Sequence, residues 1–91
     1  MANVKIYTWT VCPFCVRAKD LLKRKGIPFE EINLDGRDDE LAKLRDRTGM
    51  RTVPQIFIDD RLIGGFTELA ALDSKGELDT LVGTKSKGAN V

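Results

Sequence analysis

Ninety-one residues set the size of one compact domain, with room for a modest core and not for two. Hydrophobic residues make up 42% and charged residues 32%, the composition of a globular chain. Fifteen basic against 14 acidic side chains leave a net charge of +1, which excludes a whole-chain attraction to nucleic acid or to an anionic membrane. The opening Met1-Ala2-Asn3-Val4-Lys5 lacks the long apolar core of a signal peptide, and no apolar run is long enough to span a bilayer. A cytoplasmic location is expected.

In chain order, Val4, Ile6 and Thr8 alternate with Lys5 and Tyr7, which predicts a first strand. Cys12 stands where a helix N-cap would, followed by Pro13 at the first helical position, where a missing N–H costs nothing. That helix carries Ala18, Leu21 and Leu22, is basic over Lys23, Arg24 and Lys25, and stops at Gly26. Pro28 to Leu34 reads as a second strand, with Glu30-Glu31 breaking the strict alternation.

Asp38, Asp39 and Glu40 place acid at the start of a second helix, which shows Leu41 and Leu44 on one face and ends at Gly49. Gln55 to Ile58 and Arg61 to Ile63, joined by Asp59-Asp60, predict an antiparallel hairpin. Gly64-Gly65 breaks it, Thr67 is placed to cap a third helix with Leu69 and Leu72, and Leu78, Leu81 and Val82 suggest a short fourth. The order is β-α-β-α-β-β-α-α. A right-handed parallel βαβ unit followed by a hairpin makes a four-stranded mixed sheet with helices on both faces. A single domain is expected over residues 1–82, and a disordered polar tail over 83–91.

The chemistry centres on Cys12-Pro13-Phe14-Cys15, which holds the only two cysteines in the chain. At a helix start, residues three apart lie about 5–6 Å apart, within reach of a disulfide. Cys12 at the cap points at unpaired backbone N–H groups and the positive end of the helix dipole, which favour thiolate over thiol. Arg17 and Lys19 can add positive potential. Cys15, one turn inside, is expected to be the less exposed. Cys12 is therefore the attacking thiol, and Cys15 resolves the mixed disulfide that attack creates.

A structural staple is disfavoured, because so small a loop gains little entropy on closure. Zinc takes four ligands, and two cysteines with no histidine do not supply them, so no metal is expected in a monomer. A [2Fe–2S] cluster shared in a dimer stays open as an alternative.

These residues together resemble the glutaredoxin family. Cys12-Pro13-Phe14-Cys15 is similar to its dithiol motif, with Phe14 where a tyrosine is usual. Arg51-Thr52-Val53-Pro54-Gln55 resembles its Thr-Val-Pro loop, and Gly64-Gly65-Phe66-Thr67-Glu68 its Gly-Gly motif. The resemblance covers Asn3 to about Leu81. It implies a thioredoxin-like fold with Pro54 as a cis-proline, and glutathione as co-substrate.

It also implies glutathione contacts from Phe14, Arg51, Thr52, Val53, Pro54, Thr67 and Glu68. The Val53 backbone would pair with the peptide like an added strand, and Thr67 and Glu68 would hold its γ-glutamyl end. The implied activity is glutathione-dependent reduction of protein disulfides and of protein–glutathione mixed disulfides, by a monomer. A redoxin recycled by thioredoxin reductase is the alternative within the same chemistry. One position departs from the pattern: Trp9 stands where the family usually has a lysine for the glycine carboxylate of glutathione. Arg51 is the candidate substitute cation, with Arg37 behind it. Tyr7, Phe29 and Phe57 are read as core or sheet-face residues.

Overall fold

A computed structural model of the chain describes residues 2–83. Its elements are β1 (Val4–Thr8), α1 (Pro13–Arg24), β2 (Glu30–Asn33), α2 (Asp38–Thr48), β3 (Gln55–Ile58), β4 (Arg61–Gly64), α3 (Phe66–Ser74) and α4 (Glu77–Val82). The sheet order is β2-β1-β3-β4; β2 runs parallel to β1, while β3 is antiparallel to both β1 and β4. This is the mixed sheet expected of a thioredoxin-like fold. The expected tail lies outside the described residues apart from Gly83, which closes α4 in a left-handed conformation at φ 81°.

Period-two alternation sorts the side chains of β1 onto two cores. Val4 and Ile6 point to one face, where Ala18, Leu21 and Leu22 of α1 meet Leu69, Leu78 and Val82 of α3 and α4. Tyr7 points to the other, with Leu34, Leu44 of α2, Phe57 and both cysteines. Central β3 is buried along its whole length because helices cover both of its faces. Phe57 packs edge-on to Tyr7 with centroids 5.7 Å apart, and Phe29 packs against the first core.

Lys25 holds the far end together: its ammonium reaches Asp73 at 2.7 Å and Asp79 at 3.2 Å, tying the C-terminus of α1 to α3 and α4. Two turns are paid in backbone geometry. Asp59 and Asp60 both take positive φ, 51° and 66°, as a two-residue hairpin with the right twist requires. Gly64 sits at φ 124°, a conformation L side chains rarely adopt.

Two sequence expectations are corrected. β2 begins at Glu30 rather than Pro28, since only Glu30–Asn33 pair with β1. Glu31 interrupts the pattern because its carboxylate accepts the buried Thr8 hydroxyl at 2.7 Å and the Lys19 ammonium at 3.0 Å. The third helix starts at Phe66, so Thr67 is not its cap. Gly65 takes that place, and its N–H donates to Glu68 Oε1 at 2.7 Å.

Candidate active site

The strand-to-helix junction after β1 delivers Cys12 to the N-cap of α1 in an extended conformation, with Pro13 opening the helix. Three hydrogen bonds fix the approach. Thr10 N–H donates to Asp35, Asn33 Nδ2 donates to Thr10 Oγ1, and Asp35 N–H donates to Asn33 Oδ1. The end of β2 thus fastens the segment that carries the first cysteine.

Cys12 and Cys15 are joined as a disulfide, with Cα atoms 5.2 Å apart. Cys12 is 9% exposed and Cys15 1%, the order expected of an attacking and a resolving thiol. The Cys15 backbone N–H donates to Cys12 Sγ at 3.1 Å, using one of the four orphan donors of the helix start. Once the bond opens, that donor favours a thiolate on Cys12. The Val53 carbonyl oxygen lies 3.7 Å from the same sulfur. The sulfur meets a donor that stabilises its charged form and an acceptor that suits its protonated form.

Of the two nearby cations, Arg17 lies over the Phe14 ring, 5.3 Å from its centroid, and Lys19 is bound to Glu31. The helix N-terminus and its Cys15 N–H are therefore the donors placed directly at the sulfur.

Val53 is joined to Pro54 by a cis peptide bond, and through its carbonyl oxygen the Thr52-Val53-Pro54 segment contacts Cys12 Sγ. Beside it opens a cleft of about 200 Å³. Phe14, Thr52, Val53, Pro54, Thr67 and Glu68, all expected from the sequence, line it together. Met50, Gly65 and Phe66 line it as well and were not anticipated. Phe66 stacks on Phe14 with centroids 6.4 Å apart, so the two rings form one wall. Phe66 follows the Gly-Gly pair directly, and that adjacency was the available signal.

Arg51 does not line this cleft. It borders a separate hollow with Arg45, Asp46 and Met50. Arg37, the second cation considered, is bonded to Glu40 at 3.2 Å. Trp9 is half-buried against the cluster that holds both cysteines. Among the described residues no group of three or more His, Cys, Asp or Glu side chains is placed to hold a metal, and no helix is long and apolar enough to cross a membrane.

The residue that sets the Val53 loop was also missed. Gln55 is fully buried, and its Nε2 donates to the carbonyls of Met50 at 3.2 Å and Thr52 at 3.0 Å. It clamps the loop while its Oε1 has no partner among the described residues.

Known proteins are similar to this chain in sequence and in fold. The glutaredoxin family model matches residues 4–63. A probable glutaredoxin of Synechocystis is 52% identical over 84 residues, spanning 91% of this chain and 77% of its own. Glutaredoxin 3 of Escherichia coli K12 is 51% identical over 82 residues, 90% of this chain and 99% of its own. The crystal structure of the buckwheat glutaredoxin–glutathione complex superposes with a TM-score of 0.86 at 30% identity, covering 91% of this chain and 78% of that one. A cap-position cysteine paired with a buried partner three residues on, facing a cis-proline loop, is thus read in the company of close relatives: the chain belongs to the glutaredoxin family and is a thiol–disulfide oxidoreductase.

Proposed function

We propose that the chain is a glutathione-dependent reductase of protein disulfides and protein–glutathione mixed disulfides, with Cys12 as nucleophile and Cys15 as resolving thiol. The observation that carries this is the contact of Cys12 Sγ with the Cys15 N–H and the Val53 carbonyl, Val53 in turn lining a cleft sized for part of a peptide.

In the reducing direction Cys12 thiolate attacks one sulfur of the substrate disulfide. A Cys12–substrate disulfide forms, and the other substrate sulfur leaves as a thiolate that takes up a proton. Cys15, deprotonated, attacks Cys12 Sγ, so the substrate's second thiol leaves and the Cys12–Cys15 disulfide closes. Two electrons have passed to the substrate. One glutathione thiolate then opens the pair to a Cys12–glutathione disulfide, and a second removes it as glutathione disulfide, restoring the dithiol.

The glutathionyl group fits the cleft in stages. Its cysteine backbone pairs with that of Val53 as an added strand. Its γ-glutamyl carboxylate meets the N-terminus of α3 at Thr67, where backbone donors and the helix dipole favour an anion. Glu68 offers a carboxylate near its ammonium, and Phe14 and Phe66 cover the peptide. Arg51 would supply a cation to the glycine carboxylate by swinging from the neighbouring hollow, in place of the lysine that Trp9 displaces. A cytoplasmic setting, where thiols are kept reduced, suits this cycle.

The test is glutathione-coupled turnover of a small glutathione mixed disulfide. Cys12→Ser abolishes turnover, whereas Cys15→Ser keeps removal of glutathione and loses reduction of intramolecular disulfides. Disulfide reduction by the Cys12→Ser protein, or recycling by thioredoxin reductase and not by glutathione, would refute the reading.

A further inference from the structure

We propose that a hollow beside Trp9 receives the side chain of a lysine or arginine lying next to the disulfide of a protein substrate. The proposal rests on the reading that Cys12 exchanges with protein disulfides, and adds a preference among them.

The hollow has a volume of about 390 Å³ and shares no residue with the cleft of Phe14 and Glu68. Trp9, Val11, Leu34 and Leu41 give it an apolar lining, and Asp35 and Asp38 give it charge. Two of its lining residues, Val11 and Trp9, adjoin the redox pair. Val11 directly precedes Cys12 and is 89% exposed, the most exposed large hydrophobic side chain among the described residues. Trp9 packs against the cluster that contains both cysteines. Val11 is thus an exposed apolar side chain directly beside the residue a substrate sulfur must reach. An extended chain advances about 3.3 Å per residue, so a residue beside the substrate cysteine comes within reach of the hollow.

The charge of this flank selects the occupant. From Asp35 to Glu40 the chain carries four carboxylates and one cation, Arg37, which is already bonded to Glu40. In a protein of net charge +1 this is a local concentration of negative charge. Asp35 accepts the Thr10 N–H on both oxygens, at 3.2 and 3.3 Å, and keeps lone pairs for a further donor. Asp38 has no side-chain partner among the described residues.

Carboxylates over an apolar lining match a side chain with a long aliphatic stem and a cationic head, and the Trp9 ring adds attraction for that cation. An acidic side chain would meet like charge, so the same hollow discriminates by repulsion as well as attraction.

The test uses two cyclic peptides, each closed by one disulfide and identical except for lysine or glutamate beside the first cysteine. A small glutathione mixed disulfide is the reference substrate. The wild-type protein is expected to reduce the lysine peptide with a kcat/KM roughly tenfold above that of the glutamate peptide at low salt, the gap closing toward 1 M salt. In Asp38→Asn the ratio falls below about fivefold, while turnover of the small disulfide is unchanged. In Asp35→Asn/Asp38→Asn, read on the ratio of the two peptides alone, it falls below about threefold. Equal kcat/KM for the two peptides with the wild type overturns the proposal, as does a preference that survives both substitutions. Failure to turn over the small disulfide would instead strike the redox reading on which the proposal rests.

Discussion

Replacing Gln55 with leucine separates stability from substrate capture. The side chain is fully buried, with Nε2 bonded to the Met50 and Thr52 carbonyls and Oε1 unpartnered among the described residues. Leucine is close in size, so the cavity term is small. Two hydrogen bonds are lost, each worth about 0.5–1.5 kcal/mol net, but Thr52 is exposed and Met50 half-buried, so water can take over their carbonyls at the lower end of that range. Against this, removing a buried unpaired oxygen returns about 1–3 kcal/mol of desolvation cost.

The two sides nearly cancel, and the net change in stability is expected within about 1 kcal/mol, or a melting shift of no more than roughly 4–8 °C. The loop that presents Val53 loses its clamp. Capture of a glutathione mixed disulfide should therefore suffer, with KM rising about five- to tenfold and kcat changing little. Gln55→Glu makes the contrast: it sets a buried carboxylate against two carbonyl oxygens and should cost several kcal/mol. Thermal melts and steady-state kinetics on both variants decide the matter. If Gln55→Leu melts more than 10 °C below the wild type with KM unchanged, Gln55 serves folding and the clamp has no bearing on capture.

Two further outcomes follow from local geometry. Gly64→Ala should destabilise the protein by about 1–3 kcal/mol in urea titration, because φ is 124° and a Cβ would lie 2.8 Å from Glu68 Cγ; an unchanged midpoint would contradict the strain argument. Glu31 is held below its ordinary carboxyl value of 4.5, first by the Thr8 hydroxyl and then by Lys19, with burial opposing both. A lowered folded-state value means that its stabilisation is present above the unfolded value near 4.5 and is lost as pH falls through the lower folded one. Glu31→Gln should flatten the fall in urea midpoint below pH 4.5, and an unaltered acid slope would count against the Thr8–Glu31 bond.

Much of this fold is legible in local chemistry. Cys12 with Pro13 marks a helix start, Gly26 and Gly49 mark helix ends at φ 70° and 74°, and Asp59-Asp60 marks the hairpin turn. Local signals failed where the deciding partner was remote or had no side chain. Thr67 reads as the cap of α3 because a side-chain oxygen is the usual cap, whereas the deciding bond runs from Gly65 N–H to Glu68 Oε1. β2 was drawn too long because pairing with β1, not composition, sets its limits.

The same distinction holds at the site. Phe14, Thr52, Val53, Pro54, Thr67 and Glu68 were found through short motifs, and the fold gathers them round one cleft. Gln55 escaped notice because its burial depends on β3 being the central strand. The Trp9 hollow escaped because Asp35 and Leu41 reach it across more than 25 positions of chain.

Glu68 takes part in three arrangements at once. Its carboxylate closes the Gly65 N–H, its methylenes occupy the space above Gly64, and its outer surface lines the cleft. No substitution there can report on recognition alone, since each would also loosen the helix start and relax the glycine beneath it. The informative cut is on the ligand: comparing glutathione with an analogue lacking the γ-glutamyl ammonium tests the proposed contact and leaves the protein whole. A single side chain that caps, packs and lines the cleft couples the shape of that cleft to the integrity of the fold.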